Sequence, residues 1–193
     1  MYVQHENQKQ RANDTHTHSQ TQRQGERERE REKRMGSTSM AMSSNPQGLH
    51  QVFVYGSLLS DEVVRVLLKR VPQSCPAILD GFHIFSIKEC VYPAIIPVEN
   101  KKVTGKVLLG ITLPELDILD TFEDVEYNRC TVEVSLMDGS QKLQAHTYVW
   151  ANSSDPNLYG DWSFEEWRQA HIKDYMKMTM GFMEELEQPE SKP

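Results

Sequence analysis

Val52-Phe53-Val54-Tyr55-Gly56-Ser57-Leu58-Leu59 is the stretch from which the fold is read. A short apolar run stops at a glycine, and an apolar pattern of helical spacing begins a few residues later. That order predicts a strand, a tight turn of bare backbone and a helix start. A turn of this kind offers N–H groups above the strand end, where an anionic ligand group is the natural guest. Ser60 follows as the expected N-cap, with Asp61 and Glu62 near the positive end of the helix dipole. Val63, Val64, Leu67, Leu68 and Val71 then recur at helical spacing up to Pro72.

Further along, Ala77–Ile87 predicts a strand bent or bulged at Gly81. Ala94–Ile96, flanked by prolines, predicts an edge piece or a loop. Val103–Ile111 predicts another strand, with Gly105 and Gly110 marking bends. Pro114–Thr121 reads as a short helix turning Leu116 and Leu119 inward. Glu126–Met137 alternates, with Cys130, Val132, Val134 and Leu136 on one face. Asp138-Gly139 is a hairpin turn from which Lys142–Trp150 returns antiparallel. Ser163 with Glu166 forms a capping box that opens a long helix. On it Phe164, Trp167, His171, Tyr175, Met178, Phe182 and Leu186 make an apolar stripe, with His171 expected to be packed and hydrogen-bonded. Met176, Met178, Met180 and Met183 read as core or a partner groove. The mixture predicts an α+β fold with a mostly antiparallel or mixed sheet.

Residues 1–48 have almost no apolar side chains and include the run Glu26–Arg34 of alternating charge, so they are expected to be a disordered tail. Residues 49–188 suit one domain, and 189–193 a disordered end. The tail carries eight Lys/Arg against six Asp/Glu, and the remainder 13 basic against 22 acidic residues. An acidic globule without a basic stripe argues against nucleic-acid binding. No apolar run approaches membrane-spanning length, and no secretory signal opens the chain, so a cytoplasmic protein with access to the nucleus is expected. Cys75, Cys90 and Cys130 match no metal-ligand spacing and read as small packing residues. Nothing requires a metal or a cofactor.

Chemistry points to Leu119-Asp120-Thr121-Phe122-Glu123-Asp124-Val125-Glu126-Tyr127-Asn128-Arg129. Asp120, Glu123, Asp124 and Glu126 crowd one turn, with Phe122 and Val125 as apolar cover. Like charges and desolvation both push a carboxyl pKa upward, toward the range useful for proton transfer. Glu123, between Phe122 and Asp124, is the best candidate, although an acidic turn also reads as plain solvated loop.

Val54–Leu59, then Leu119-Asp120-x-x-Glu123, then Tyr127-x-Arg129 resembles the γ-glutamylcyclotransferase-like family. Tyr148-Val149-Trp150-Ala151-Asn152 and the run from Asp155 to Trp167 look like its plant branch, the avirulence-induced gene two-like proteins. The resemblance covers about Val52 to Leu186. It implies a small closed, mixed β-barrel with flanking helices and a long C-terminal helix. It also implies a substrate loop formed by Val54, Tyr55, Gly56, Ser57, Leu58 and Leu59, whose amides hold the α-carboxylate of a small γ-glutamyl compound. Glu123 falls at the family's acid/base position. Attack of the α-amine on the γ-carbonyl would then release 5-oxoproline and a free amine or amino acid, without a cofactor.

Around that position, Tyr127 either lends a hydroxyl or packs, Trp150 and Trp162 are core or pocket wall, and Arg129 reads as a salt-bridge partner of the acidic turn before a substrate clamp. One departure is Asp124, where many relatives have glycine, whose backbone reaches angles Asp adopts less readily. Pocket size would depend on the paths of Glu99–Gly105 and Ala151–Asp161. Two other readings fit the same scaffold: a non-catalytic binder of small carboxylates, and an interaction protein using its Met-rich helix or acidic face.

Overall fold

The computed structural model of the chain describes residues 48–139 and 141–188. Apart from Gly48, the expectations for 1–48 and 189–193 fall outside them. Six strands alternate with three helices: β1 His50–Val54, α1 Asp61–Leu68, β2 Ser74–Ile87, β3 Pro93–Ile111, α2 Leu113–Glu123, β4 Tyr127–Leu136, β5 Lys142–Trp150, β6 Leu158–Tyr159 and α3 Phe164–Glu187. A 3-10 turn, Gly56–Leu59, links β1 to α1, and a second, Asp124–Glu126, links α2 to β4.

Strand pairing closes a barrel. β1 runs antiparallel to β3 and parallel to β5. β5 pairs antiparallel with β4 from Tyr127↔Trp150 to Ser135↔Lys142. β4 meets β2 at Ala77↔Leu136, and β2 returns along β3 from Ser74↔Leu108 to Ser86↔Pro93. The circuit β3–β1–β5–β4–β2–β3 leaves five strands without an open edge, and β6 adds a short pairing to the end of β2.

Alternation along β1 shows why its last three residues, Val52–Val54, are apolar without a break. Phe53 and Tyr55 join Ala77, Leu79, Val107, Val134 and Ala145 in a cluster shared by all five barrel strands. Val52 and Val54 face the other way, into a second cluster with Val63 and Leu67 of α1, Leu116 and Leu119 of α2, and Trp167 and Tyr175 of α3. A strand buried on both faces has no polar register to show. Each such side chain contributes about 1.5–3 kcal/mol by leaving water.

Several expectations are corrected. Ala94–Ile96 is not a loop: it lies within β3, where Ala94 and Ile95 are fully buried and pair with Phe85 and Ile84 of β2, the one strand that borders this stretch among the described residues, so the edge reading holds. Proline is tolerated there because Pro93 opens the strand and Pro97 sits opposite the bulge at Gly81. Asp80 pairs with Lys102 and Phe82 with Pro97, so residues 98–101 bow out of the ladder within β3 and do not form a separate loop. α1 ends at Leu68, where Lys69 takes a left-handed conformation (φ 57°), so Val71 is not helical. Gly105 marks a close approach and not a bend: a Cβ there would lie 2.4 Å from the Val54 carbonyl oxygen. On α3 the buried set is Trp167, Tyr175, Thr179 and Met183, while His171 and Leu186 are exposed. Steps of four drift round the helix by about 40° each, so the buried face winds away from the stripe read at alternating threes and fours. Among the described residues no helix is long and apolar enough to cross a membrane.

Candidate active site

The turn after β1 is held by its glycine. Gly56 has φ 61°, and a Cβ on it would lie 2.5 Å from Cγ of Pro93, so both conformation and space exclude other residues. α2 begins at a capping box in which Thr112 and Glu115 satisfy each other's backbone N–H groups, a signal the sequence reading passed over. The helix ends at Glu123. Asp124 follows with φ 54° and ψ −163°, a region favouring glycine, and its carboxylate accepts a bond from the Val125 N–H at 2.7 Å.

These two chain reversals meet at one cavity of about 210 Å³. Val54, Tyr55, Ser57 and Leu58 line it, as does Glu123. Gly56 and Leu59 do not. Gly56 shapes the turn from behind, and the Leu59 carbonyl accepts a bond from Lys106 Nζ. The remaining wall comes from Phe53 of β1, Tyr92 and Pro93 at the start of β3, Phe122, Asp124, Glu126, Tyr127, Tyr148 and, from α3, Tyr175, Met178 and Phe182. Neither Glu99–Gly105 nor Ala151–Asp161 reaches the cavity.

The electrostatics differ from the crowding argument. Burial alone raises the Glu123 carboxyl to about 8, and no neighbouring carboxylate contributes. Asp120, another carboxylate of the acidic segment, is occupied: Arg129 Nη1 donates to its Oδ2 and Tyr148 OH to its Oδ1. Asp124 and Glu126 are exposed. Part of Glu123 reaches solvent through the cavity mouth, yet no hydrogen bond or ion pair engages its carboxyl among the described residues. Burial also raises Tyr55, Tyr127, Tyr148 and Tyr175, and the nearby Glu123 charge adds to each. These phenols therefore stay neutral.

Arg129 pairs with the acidic turn as expected. Tyr127 both lines the cavity and donates to the Pro93 carbonyl. Trp150 stacks edge-on against Tyr127 and donates to Asp155, and Trp162 donates to the Val91 carbonyl; neither forms the wall. The sequence reading missed Tyr92, Tyr148 and the α3 contribution. Thr147, Tyr148, Val149 and Trp150 are all buried at the end of β5, and nothing local said that this end opens on a cavity. Among the described residues, no group of three or more His, Cys, Asp or Glu is arranged to hold a metal.

A family model described as Gamma-glutamyl cyclotransferase, AIG2-like, matches residues 52–168. The chain belongs to this family. AIG2-like protein D of Arabidopsis thaliana is 60% identical over 144 residues, covering 74% of this chain and 95% of that protein. AIG2-like protein C of the same plant is 57% identical over 143 residues, covering 74% of this chain and 83% of that protein. A solution structure of a third Arabidopsis protein, 42% identical, superposes with a TM-score of 0.57 over 77% of this chain and 99% of that one. The cyclotransferase-like fold expected from the resemblance is thus the fold observed. The span matched by the AIG2-like model contains both the turn and Glu123, whereas Tyr175, Met178 and Phe182 lie beyond it.

Proposed function

We propose that this AIG2-like protein is a γ-glutamylcyclotransferase in which Glu123 carries the protons and the Val54–Leu59 turn holds the substrate. The observation that carries this reading is the unpartnered Glu123 carboxyl, raised to about 8, in the same cavity as the turn. A group of that pKa exchanges protons readily with an amine near neutral pH. The cavity lies below the ~300–1,000 Å³ of sites for drug-sized ligands, which suits a γ-glutamyl group with its departing amine toward the mouth.

The reaction then runs as follows. Amides of the turn and the substrate's α-carboxylate meet at one end of the cavity, leaving the α-ammonium toward Glu123. The carboxylate takes one proton, and the freed amine attacks the γ-carbonyl carbon, forming the ring C–N bond. Collapse of the adduct breaks the bond to the departing nitrogen, which takes the proton back from Glu123. The ring nitrogen's surplus proton passes through the restored carboxylate, so the amine leaves as an ammonium beside 5-oxoproline. Ring closure is intramolecular, and holding one conformer supplies much of the acceleration without a cofactor.

Purified protein incubated with a panel of γ-glutamyl amino acids and γ-glutamyl alkylamines is expected to release 5-oxoproline. Glu123→Gln is expected to abolish release while unfolding as cooperatively as the wild type. A panel without 5-oxoproline, or full activity in the Gln variant, rejects the reading.

A further inference from the structure

Five tyrosines line the cavity, and the fate of their hydroxyl protons separates one from the rest. A phenol has one proton to donate. Tyr55 gives its proton to the Tyr148 carbonyl at 2.7 Å, and Tyr127 to the Pro93 carbonyl at 2.8 Å. Tyr148 donates to Asp120 Oδ1 at 2.7 Å, and Tyr92 to Glu126 Oε2 at 3.1 Å. All four are spent on protein acceptors. Tyr175 OH instead lies 3.0 Å from Ser57 Oγ, where either atom can donate. Two hydroxyls bring two protons and the bond between them uses one, so one stays available.

Nothing else on the wall offers that. Among the described residues, no Lys, Arg, His, Asn, Gln or Trp lines the cavity. Apart from a protonated Glu123, the hydroxyl pair is the one side-chain donor among them with a proton to spare. Both partners are fixed. Ser57 is 7% exposed, and the Tyr175 ring meets Trp167 edge-on at 5.1 Å and Phe122 at 6.4 Å. A donor already in place where negative charge develops lowers a barrier without reorganisation.

We propose that the Ser57–Tyr175 hydroxyl pair holds the γ-carbonyl oxygen of the substrate as it becomes an alkoxide, making Tyr175 a second catalytic residue. This rests on the cyclisation reading above. As the ring C–N bond forms, the carbonyl π pair moves onto oxygen, and the spare hydroxyl proton hydrogen-bonds to it. No proton is transferred in that contact. When the electron pair returns to re-form the carbonyl, the bond to the departing amine breaks and the spare hydroxyl proton is released from that contact, the Ser57–Tyr175 bond being kept throughout.

The test measures kcat and KM for 5-oxoproline release in Tyr175→Phe, Ser57→Ala, Ser57→Thr and the double variant Ser57→Ala/Tyr175→Phe. The substrate is the panel compound that the wild type turns over fastest. Tyr175→Phe and Ser57→Ala are each expected to lower kcat about 10–100-fold with KM changed less than about threefold. Ser57→Thr, which restores a hydroxyl, recovers most of the rate. The double variant loses less than the product of the single losses, because the two act as a unit. Tyr175→Phe keeps the ring, and Ser57→Ala gives an independent reading if one variant folds poorly. Activity within twofold of wild type in both, or a loss confined to KM, overturns the role of the pair. If those variants are active while Glu123→Gln is dead, the cyclisation reading survives alone. Absence of turnover in the wild type overturns both.

Discussion

Glu123 sits where its carboxyl is least comfortable, and that discomfort has a measurable consequence apart from any activity. Its pKa rises from the usual carboxyl value of 4.5 to about 8, through burial. Between those values the folded state holds a proton that the unfolded chain has lost, so stability falls as pH rises through this window. Allowing for solvent at the cavity mouth, the loss is roughly 2–4 kcal/mol. Glu123→Gln has no such titration. Its melting temperature is expected to match the wild type near pH 5 and exceed it by several degrees near pH 9; parallel curves across that range contradict the burial of the carboxyl. Asp124 is strained for a different reason. At φ 54° and ψ −163°, Asp124→Gly is expected to gain about 1 kcal/mol in denaturant unfolding, whereas Asp124→Ala, which keeps a Cβ and loses the bond to Val125, destabilises. Glu123 was visible in the sequence as a carboxyl beside an aromatic, and Asp124 as a side chain where glycine is usual. Desolvation, read from the sequence, is the cause that acts; that like charge would not act was not visible, because Arg129 and Tyr148 reach Asp120 from β4 and β5.

Among the elements, α3 does most to complete the site. Trp167, Tyr175 and Met183 bury one face of the helix against the outside of the barrel, and Tyr175, Met178 and Phe182 close the cavity. The Met-rich surface expected for a partner is divided: Met183 is core, while Met178 and Met180 are each 47% exposed. Trp167→Ala is expected to cost about 3–5 kcal/mol by denaturant titration. Trp167→Phe is expected to cost far less, since the Trp167 indole N–H is buried without a partner. Equal losses in the two would mean that the ring does not carry the packing. The existence and direction of α3 were legible from Ser163 and the apolar spacing, but its buried face was not. A helix stripe three residues wide admits more than one rotation, and Met178 and Phe182 look like core until the cavity beneath them is known. β3 was harder still, because two prolines and a bulge broke a single strand into apparent fragments.

For the molecule as a whole, barrel closure brings the turn after β1 and the end of α2 to one hollow. Closure depends on Gly105, where a Cβ would press on the Val54 carbonyl and the Phe53 ring, directly beneath the turn. Gly105→Ala is expected to destabilise by at least 1–3 kcal/mol and to lower any activity with it, read as a fall in both denaturant midpoint and turnover. Short hairpins and capped helices announced an α+β fold, whereas five-strand closure did not follow from local spacing and came only through the family resemblance. The parallel contact of β1 with β5 joins residues about ninety positions apart, which no local pattern encodes. The account as a whole rests on one deprotonated carboxyl facing a γ-glutamyl substrate. It is tested most directly by kcat/KM for 5-oxoproline release between about pH 6 and 8.5. The predicted profile climbs roughly tenfold per pH unit and levels near 8, where burial puts Glu123, with no activity in Glu123→Gln. A flat profile in an active enzyme, or a climb that persists in the Gln variant, would contradict it.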